Sequence, residues 1–283
     1  MKRLDARVFL AAMALAASTM VEAAITCNFS SPGWSAAYVP ANAATNITQS
    51  SFTVTCQRNA GGDPTTVNYT VASDNGLHAA AAQNRAQLAA TANRINYEDH
   101  SNSTCSSVWA NAVASRIAGT ISGLAGFIPS SQTVSYWGCI PGSQIGLPAG
   151  TYTDTVTMTL RYGGATNPTA TFPVSIVTPA SCTITTVPGA MAFTYTAFGP
   201  VQNLSTPFGV TCTNLLPYTM ALDSTVNVAV GLQYTLALSA PGGTGTGLAQ
   251  PYTVNGTMPA GQAGTCAGAN CGVTQVRTLT ITY

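Results

Sequence analysis

The sequence contains very little charge and almost no histidine. Only 6% of the residues are charged, and the chain has two histidines. No lysine follows Lys2, and residues 24–283 carry six arginines against six acidic side chains. A chain this neutral has no basic patch for nucleic acid or anionic lipid, so we expect no nucleic-acid binding. Low charge also leaves little repulsion between copies, which suits a protein that works inside an assembly.

The sequence also lacks the motifs of common catalytic and metal centres. It contains no Cys-x-x-Cys pair and no Gly-x-Ser-x-Gly nucleophile elbow. The one cluster of acidic residues with a histidine is Glu98-Asp99-His100. Neighbouring residues on a strand point to opposite faces, so these side chains would not converge, and we interpret the tripeptide as a solvated loop. The sequence therefore predicts no enzyme, no catalytic residue, no metal and no cofactor.

No hydrophobic stretch is long enough to cross a bilayer. A membrane helix needs about 20 apolar residues, whereas the apolar stretch that begins at Val8 has roughly ten. Basic residues precede this stretch, and Val21-Glu22-Ala23 offers a cleavage site with small residues. The pattern predicts a signal peptide over residues 1–23 and an exported mature chain that does not insert into the membrane.

The eight cysteines all follow the predicted signal peptide, and an even number in an exported chain indicates disulfides. Cys27 and Cys56 have almost the same spacing as Cys182 and Cys212, so we pair each of these two sets. The other four cysteines have no counterparts and are paired by remainder within each half, Cys105 with Cys139 and Cys266 with Cys271. Metal binding is the alternative, but the usual ligand spacings are missing.

The cysteine spacing belongs to an internal repeat of strand-like segments. Alternating runs of β-branched and aromatic residues recur in both halves, at 51–56 and 207–212, at 67–74 and 217–224, and at 156–162 and 278–283. Strict alternation is the period of a half-buried strand. We therefore predict an all-β chain of two tandem immunoglobulin-like β-sandwich domains, residues 24–178 and 179–283. Residues 75–92 are interpreted as a loop with at most one or two helical turns.

The two halves differ in the segment that comes after their closing run. In the first half, residues 171–177 place Phe172, Val174 and Ile176 on one side of a further strand, in which Pro173 is tolerated only at an edge or a bulge. In the second half, the last strand carries Leu279, Ile281 and Tyr283, and no further run succeeds it. We expect its sheet to keep an unpaired edge that accepts a strand from another chain. Only residues 24–26 precede Cys27, too few to donate a strand, so we expect the chain to end a fibre.

Several motifs are shared by the two halves and by a known family. The first half contains Cys27-x-Phe29, Phe52-x-Val54-x-Cys56, Tyr136-Trp137-Gly138 and the ending Gly150-Thr151-Tyr152-Thr153-Asp154-Thr155-Val156. The second half matches through Cys182, Cys212, residues 255–262 and residues 277–283, but it lacks that ending. Together these motifs resemble the spore coat protein U domain, which is the domain of secreted pilins in archaic chaperone–usher pili. The resemblance covers nearly all of the mature chain.

The resemblance implies incomplete immunoglobulin-like sandwiches that are joined into fibres by donor strands. It also implies three protein partners, namely a periplasmic chaperone, an outer-membrane usher and the next pilin subunit. Shaft pilins of the family have one domain and an N-terminal donor segment, and this chain departs from both features. It therefore resembles a two-domain tip subunit at the cell surface, whose first domain attaches to abiotic or host surfaces during biofilm formation.

An adhesive surface requires exposed apolar side chains on rigid loops. Three loops of the first half meet this description: residues 32–40 with Trp34 and Tyr38, residues 107–109 with Trp109, and residues 123–129 with Leu124, Phe127 and Ile128. We prefer the third loop, because Gly and Pro residues bracket it. The alternative for each tryptophan is a place in the core, which we expect for Trp137.

Two other functions remain open from the sequence. A lectin-like adhesin would bind a specific sugar in a polar cleft flanked by an aromatic side chain. A fibre initiator or a secreted coat protein would be purely structural, with no binding role.

Overall fold

The computed structural model describes residues 25–163, 167–268 and 270–283. The predicted signal peptide lies wholly outside these ranges. In the described ranges nearly all regular structure is β-strand, with one 3-10 turn at Val113–Ser115. None of the helical structure described there is long and apolar enough to cross a membrane.

The N-terminal sandwich is built from ten strands. These are β1 (Thr26–Ser30), β2 (Trp34–Ala37), β3 (Asn46–Gln57), β4 (Thr66–Ser73), β5 (Asn84–Leu88), β6 (Arg94–His100), β7 (Ile117–Ser122), β8 (Ser130–Ile140), β9 (Gly150–Arg161) and β10 (Thr169–Thr178). The path β1-β3-β8-β6-β5-β9-β10-β2 connects both layers, because β6 pairs with β8 on one side and with β5 on the other. Strand β4 joins β7 to the outer part of β9.

The core of this sandwich is aromatic. The indole of Trp109 stacks between Phe52 and Phe172, at centroid distances of 5.4 and 6.1 Å. Tyr136 contacts the same three rings. Aromatic side chains bury the largest apolar areas per residue, so this stack dominates the stability of the layer interface. The segment 75–92 contains strand β5 instead of the helical turns that we allowed for, because Asn84–Leu88 pairs with both β6 and β9.

The C-terminal sandwich is smaller and has its own core. Its strands are β11 (Cys182–Thr186), β12 (Gln202–Cys212), β13 (Pro217–Leu222), β14 (Val226–Ala229), β15 (Leu232–Leu238), β16 (Gly242–Thr244), β17 (Ala249–Met258) and β18 (Leu279–Thr282). They form a sheet in the order β11-β12-β17-β15-β14 and a second sheet in the order β16-β13-β18. The core between them is centred on Phe208, Val210, Tyr218 and Leu236.

All eight cysteines form disulfides in the pairs that the repeat and its remainder indicate. Two of these bridges join the first strand of a sandwich to its neighbour and occupy the same position in both copies, namely Cys27–Cys56 and Cys182–Cys212. The other two tether loops, namely Cys105–Cys139 and Cys266–Cys271.

The repeat extends to individual hydrogen bonds inside the two sandwiches. On β4 the hydroxyl of Tyr69 donates to Gln132 on β8, and on β13 the hydroxyl of Tyr218 donates to Gln250 on β17. In both places a glycine of the neighbouring strand leaves room for the tyrosine side chain: a Cβ at Gly119 would overlap the Tyr69 ring, and a Cβ at Gly243 would lie 3.0 Å from the Tyr218 hydroxyl. The two sandwiches are therefore copies of one fold, and any difference between them marks a change in role.

Candidate functional site

The N-terminal sandwich completes its own sheet. Strand β10 lies between β9, with which it is antiparallel, and β2, with which it is parallel. Its inward side chains Phe172, Val174 and Ile176 are fully buried. Pro173 stands just before the ladder with β2, which starts at Val174, so the residue without an N–H lies at the end of that ladder, where proline is tolerated. The segment expected to add a final strand therefore does so in the structure.

The corresponding edge of the C-terminal sandwich has no such cover. Strand β18 pairs with β13, and no strand of the described chain lies along its other side. Its inward side chains Leu279 and Ile281 are only half-buried, and Tyr283 is exposed just beyond the strand. The second sheet thus ends on an edge whose apolar side chains are partly open to solvent.

A pair of equivalent tyrosines identifies the segment that faces this open edge. The Tyr38 hydroxyl accepts the backbone N–H of Gln144 (3.1 Å), and the Tyr195 hydroxyl accepts that of Gln262 (2.9 Å). Each glutamine side chain then clamps one strand backbone through both its oxygen and its nitrogen, on β6 in the first copy and on β15 in the second. Tyr38 and Tyr195 are therefore structural counterparts, as are the residues that precede them.

This equivalence makes residues 191–194 the counterpart of strand β2. In the N-terminal sandwich these four positions form a parallel ladder with β10. In the C-terminal sandwich they form no ladder, although Met191, Phe193 and Tyr195 alternate as half-buried residues with exposed ones, as strand residues do. Residues 191–194 thus have the alternation of a strand, but no strand of the described chain pairs with them. The space between residues 191–194 and β18 is the position that β10 fills in the first copy.

The predicted adhesive loop lies at the far end of the molecule. Strand β9 runs from Gly150, which pairs with Thr178 just before the chain enters the C-terminal sandwich, to Arg161 at the opposite end. Strands β4 and β7 continue outward from Arg161 to the loops 58–65 and 123–129. We call these two loops the distal end, since they lie farthest along the strands from the C-terminal sandwich.

The distal loop 123–129 is held rigidly on its neighbour. The backbone N–H of Leu124 donates to the carbonyl of Thr65 (2.9 Å), and the Arg58 guanidinium donates to the Leu124 carbonyl (3.4 Å). These bonds direct the Leu124 side chain into the core, where it is 2% exposed. Phe127 follows in the left-handed region with φ 61°, which turns its ring outward. Phe127 and Ile128 are 66% and 64% exposed.

Of the six residues that the sequence predicts on the adhesive surface, four lie in the core, so the prediction is wrong for them. Leu124, Trp34, Tyr38 and Trp109 are all buried. The three aromatic side chains carry polar groups that find partners inside: the Trp34 indole donates to Asp99, the Tyr38 hydroxyl to the Pro141 carbonyl, and the Trp109 indole to the Val71 carbonyl. A satisfied N–H or O–H removes the cost of burying these rings, so they fill the core.

Trp137 shows the opposite error. We expected it in the core, but it is half-buried, and its neighbour Tyr136 occupies the core position. The two residues are adjacent on β8, so only one of them can point inward. Tyr136 takes the inward position, where its ring packs against Phe52 on the paired strand β3 and against Trp109.

The tripeptide Glu98-Asp99-His100 is also not the solvated loop that we expected. It ends strand β6, and Asp99 and His100 are buried. The Asp99 carboxylate accepts the Trp34 indole N–H (2.9 Å), while its second oxygen has no partner. Burial raises the pKa of Asp99 to about 7, the bond from Trp34 opposes this shift, and the nearby Asp154 and Asp74 add to it.

Asp154 lies beside this group and is itself buried and well bonded. It accepts the Tyr97 hydroxyl (2.8 Å) and the backbone N–H of Leu77 (2.9 Å).

The third residue of the tripeptide, His100, is shifted in the opposite direction. Burial lowers the pKa of His100, which lies 3.5 Å from Glu98. No set of three or more His, Cys, Asp or Glu side chains in the described ranges is placed to hold a metal. The network serves to position the core of the N-terminal sandwich.

The comparison with protein families identifies the chain. A model of the Spore Coat Protein U domain matches residues 5–159 and 168–254. These matches cover most of the chain and reach into both sandwiches, so the chain belongs to the Spore Coat Protein U domain family.

The solved structures that the chain matches include chains from pilus adhesin structures. A chain of the CsuC–CsuE chaperone–tip adhesion subunit pre-assembly complex, from archaic chaperone–usher Csu pili of Acinetobacter baumannii, has 12% identity and a TM-score of 0.49, with coverage of 91% of this chain and 100% of that one. The CupB6 tip adhesin from Pseudomonas aeruginosa has 11% identity and a TM-score of 0.38, with coverage of 92% and 94%. Among curated proteins, none matches the chain significantly.

Proposed function

We propose that this chain is the tip subunit of a chaperone–usher pilus and attaches the fibre to surfaces through its N-terminal sandwich. The observation that carries the proposal is the difference between the two edges. The N-terminal sandwich fills its sheet with its own β10, whereas the C-terminal sandwich leaves the equivalent position beside β18 uncovered. A subunit that is closed at one end and open at the other is suited to end a fibre.

The open position sets the requirements for an incoming strand. That strand would run antiparallel to β18 and parallel to residues 191–194, as β10 does between β9 and β2. It would need large apolar residues at alternate positions, as β10 has in Phe172, Val174 and Ile176. We propose that a periplasmic chaperone supplies such a strand first and the next pilin subunit later, after delivery to the outer-membrane usher.

Attachment is assigned to the exposed apolar pair at the distal end. Phe127 and Ile128 face solvent on a loop that is fixed at both sides and points away from the C-terminal sandwich. Each side chain gains roughly 1.5–3 kcal/mol when it is fully buried against an apolar surface. Many tips per cell multiply such modest affinities, which would support biofilm formation on abiotic or host surfaces.

The test removes this pair without touching the core. The double variant Phe127→Ser with Ile128→Ser should abolish adhesion of cells to hydrophobic plastic while electron microscopy shows a normal number of fibres. The matched control is Val113→Ser, which removes an apolar side chain that is 78% exposed on the flank of the same sandwich. The control should adhere normally.

Unchanged adhesion of the double variant, with normal fibres, would contradict the assignment of these two residues. Fibres that form normally from a chain whose β18 edge is blocked by proline substitutions would contradict the role of that edge.

A further inference from the structure

A shallow groove with several polar side chains lies on the outer face of the N-terminal sandwich, next to the distal end. It has a volume of about 470 Å³ and crosses the three strands β7, β4 and β9. Ladder pairing aligns Ala118, Thr70 and Arg161 in one row, and it aligns Thr120 with Asn68 in the next row. Ala118 is small, so the groove floor stays low between the polar side chains. Tyr162 closes one side of the groove.

Arg161 in this groove is a cation without a hydrogen-bond or ion-pair partner among the described residues. Its Nε atom is buried and has no hydrogen-bond partner, and no carboxylate of the described chain lies within ion-pair distance. Arg58 and Arg94 also have a buried Nε without a partner. Arg161 donates no hydrogen bond to a described residue, whereas each of the other five described arginines nevertheless donates at least one to a carbonyl or side-chain oxygen nearby: Arg58, Arg85, Arg94, Arg116 and Arg277. A guanidinium carries five donors in a fixed fork, and leaving a buried donor unpaired is costly. The side chain is thus positioned for an anion from outside the chain.

The neighbouring groups indicate the rest of the ligand. The hydroxyl of Thr120 donates to the amide oxygen of Asn68 (2.7 Å), which fixes that amide and turns its nitrogen donor toward other partners. The Thr70 hydroxyl lies in the same row as Arg161. A fork for a carboxylate therefore stands beside an amide donor, a hydroxyl and an aromatic ring. This combination matches a sugar ring that bears a carboxylate group.

We infer that this groove binds a carboxylated sugar, with Arg161 holding the carboxylate and Asn68 and Thr70 holding ring hydroxyls. The site is distinct from the apolar pair at the distal end and adds a polar specificity to the same sandwich. Its cation, amide and hydroxyl, beside an aromatic ring, are the groups that a lectin-like adhesin requires. One guanidinium in a nearly neutral surface selects a ligand with a single negative charge per sugar unit over a densely charged polymer.

The test measures binding of trigalacturonate to the full exported chain by calorimetry, with neutral galactotriose as the comparison sugar. We expect trigalacturonate to bind and galactotriose to bind at least tenfold more weakly. Arg161→Gln should weaken trigalacturonate binding roughly 10- to 100-fold, because charged hydrogen bonds are lost. Arg161→Lys should fall between these values, because an ammonium keeps the charge and loses the fork. Arg116→Gln is the matched control and should bind normally.

Equal binding of the two sugars, no binding of trigalacturonate, or unchanged binding by Arg161→Gln would each overturn the inference. Binding of triglutamate as tight as that of trigalacturonate would assign the groove to acidic peptides and would overturn the sugar class. A soluble sugar assay requires neither fibres nor adhesion to plastic, so its result is independent of the proposed tip role. Unchanged tryptophan fluorescence in the variants would show that they are folded.

Discussion

The two sandwiches share one fold, and they differ in whether that fold is finished. In the N-terminal copy, fully buried apolar side chains outnumber partly buried ones in the core, and the reverse holds in the C-terminal copy. The same hydrogen bonds from tyrosine to glutamine and the same disulfide occur in both. The strand orders β1-β3-β8-β6-β5 and β7-β4-β9 recur as β11-β12-β17-β15-β14 and β16-β13-β18. The decisive difference is one strand of ten residues, β10.

This comparison shows how a single strand determines the state of the residues around it. Residues 191–194 have the alternation of β2 but form no ladder, because backbone groups need a partner strand to make one. Leu279 and Ile281 stay half-buried for the same reason. The C-terminal sandwich therefore differs from the complete one on both sides of the position that β10 fills, at residues 191–194 and at β18. We would expect this of a site that receives a strand.

The largest expected effect comes from supplying the missing strand. We would extend the chain after Tyr283 with a flexible linker and a copy of Thr169–Thr178. Without partner subunits, we expect the unextended chain to aggregate or to be proteolysed in its C-terminal sandwich, and the extended chain to stay monomeric and resistant. Limited proteolysis and sedimentation measure both properties.

The control for this experiment is the same extension with serine at the positions copied from Phe172, Val174 and Ile176. It cannot bury apolar side chains beside β18 and should not protect. Equal protection by the two extensions, or a fully resistant unextended chain, would remove the distinction between the two sandwiches.

The next effect is on the cores. Phe172→Ala should cost about 3–5 kcal/mol of unfolding free energy, because it empties a buried site beside Trp109. Ile281→Ala should cost only about 1 kcal/mol in the unextended chain, since Ile281 is half exposed. All three tryptophans lie in the N-terminal sandwich, so their fluorescence during denaturation isolates it, and pulse proteolysis reports on the other. Costs of the same size would contradict the proposed difference in burial.

The equivalent disulfides offer a finer comparison. Cys27–Cys56 and Cys182–Cys212 close loops of 29 and 30 residues, so replacing either pair by alanine should cost about 3–4 kcal/mol. We expect the N-terminal sandwich to remain folded at 25 °C after this loss and the C-terminal one to unfold, because its open edge leaves less stability to lose. Denaturant titrations of the two double variants measure this. If both sandwiches remained folded at 25 °C after the loss of their disulfides, their stabilities would be similar, contrary to this prediction.

The smallest expected effect is a dependence of stability on pH, and we expect it in the N-terminal sandwich alone. Because the pKa of Asp99 is raised from 3.8 to about 7, the folded state binds its proton more tightly than the unfolded state does. The stability that Asp99 contributes is therefore greatest near pH 4 and is lost as the pH rises toward 7. Over this range the folding equilibrium constant falls by no more than about tenfold per pH unit. The lowered pKa of His100 acts in the opposite direction below its usual value, because there the unfolded state takes up the proton first.

Asp99→Asn isolates the carboxyl, since His100 is present in both chains. The variant should be relatively more stable at pH 8 than at pH 4, when each is compared with the unchanged chain. Tryptophan fluorescence during urea unfolding at the two values measures this difference. An equal effect at both pH values would show that the carboxyl does not titrate in this range.

Patterns along the chain were sufficient for part of this picture. Cysteine spacing and alternating strands predict the two sandwiches, and the run with Phe172, Val174 and Ile176 predicts the strand that closes the first. These features are local or repeated, so one sequence shows them. The residues that distinguish surface from core were predicted poorly, as Leu124, Trp34 and Trp109 show.

The amino-acid sequence by itself determined the disulfide pairs and most of the strands, because alternation and spacing are properties of the chain, but it missed β2 and β5, which lie in segments that we expected to be loops. Only the tertiary structure decided which way the side chains of the distal loop face, and it placed Phe127 outside and Leu124 inside through bonds to Thr65 and Arg58. It also left Arg161 without a hydrogen-bond partner in the described part of the chain, in a groove of three strands. Burial depends on contacts between residues far apart in the chain, and no local pattern contains them.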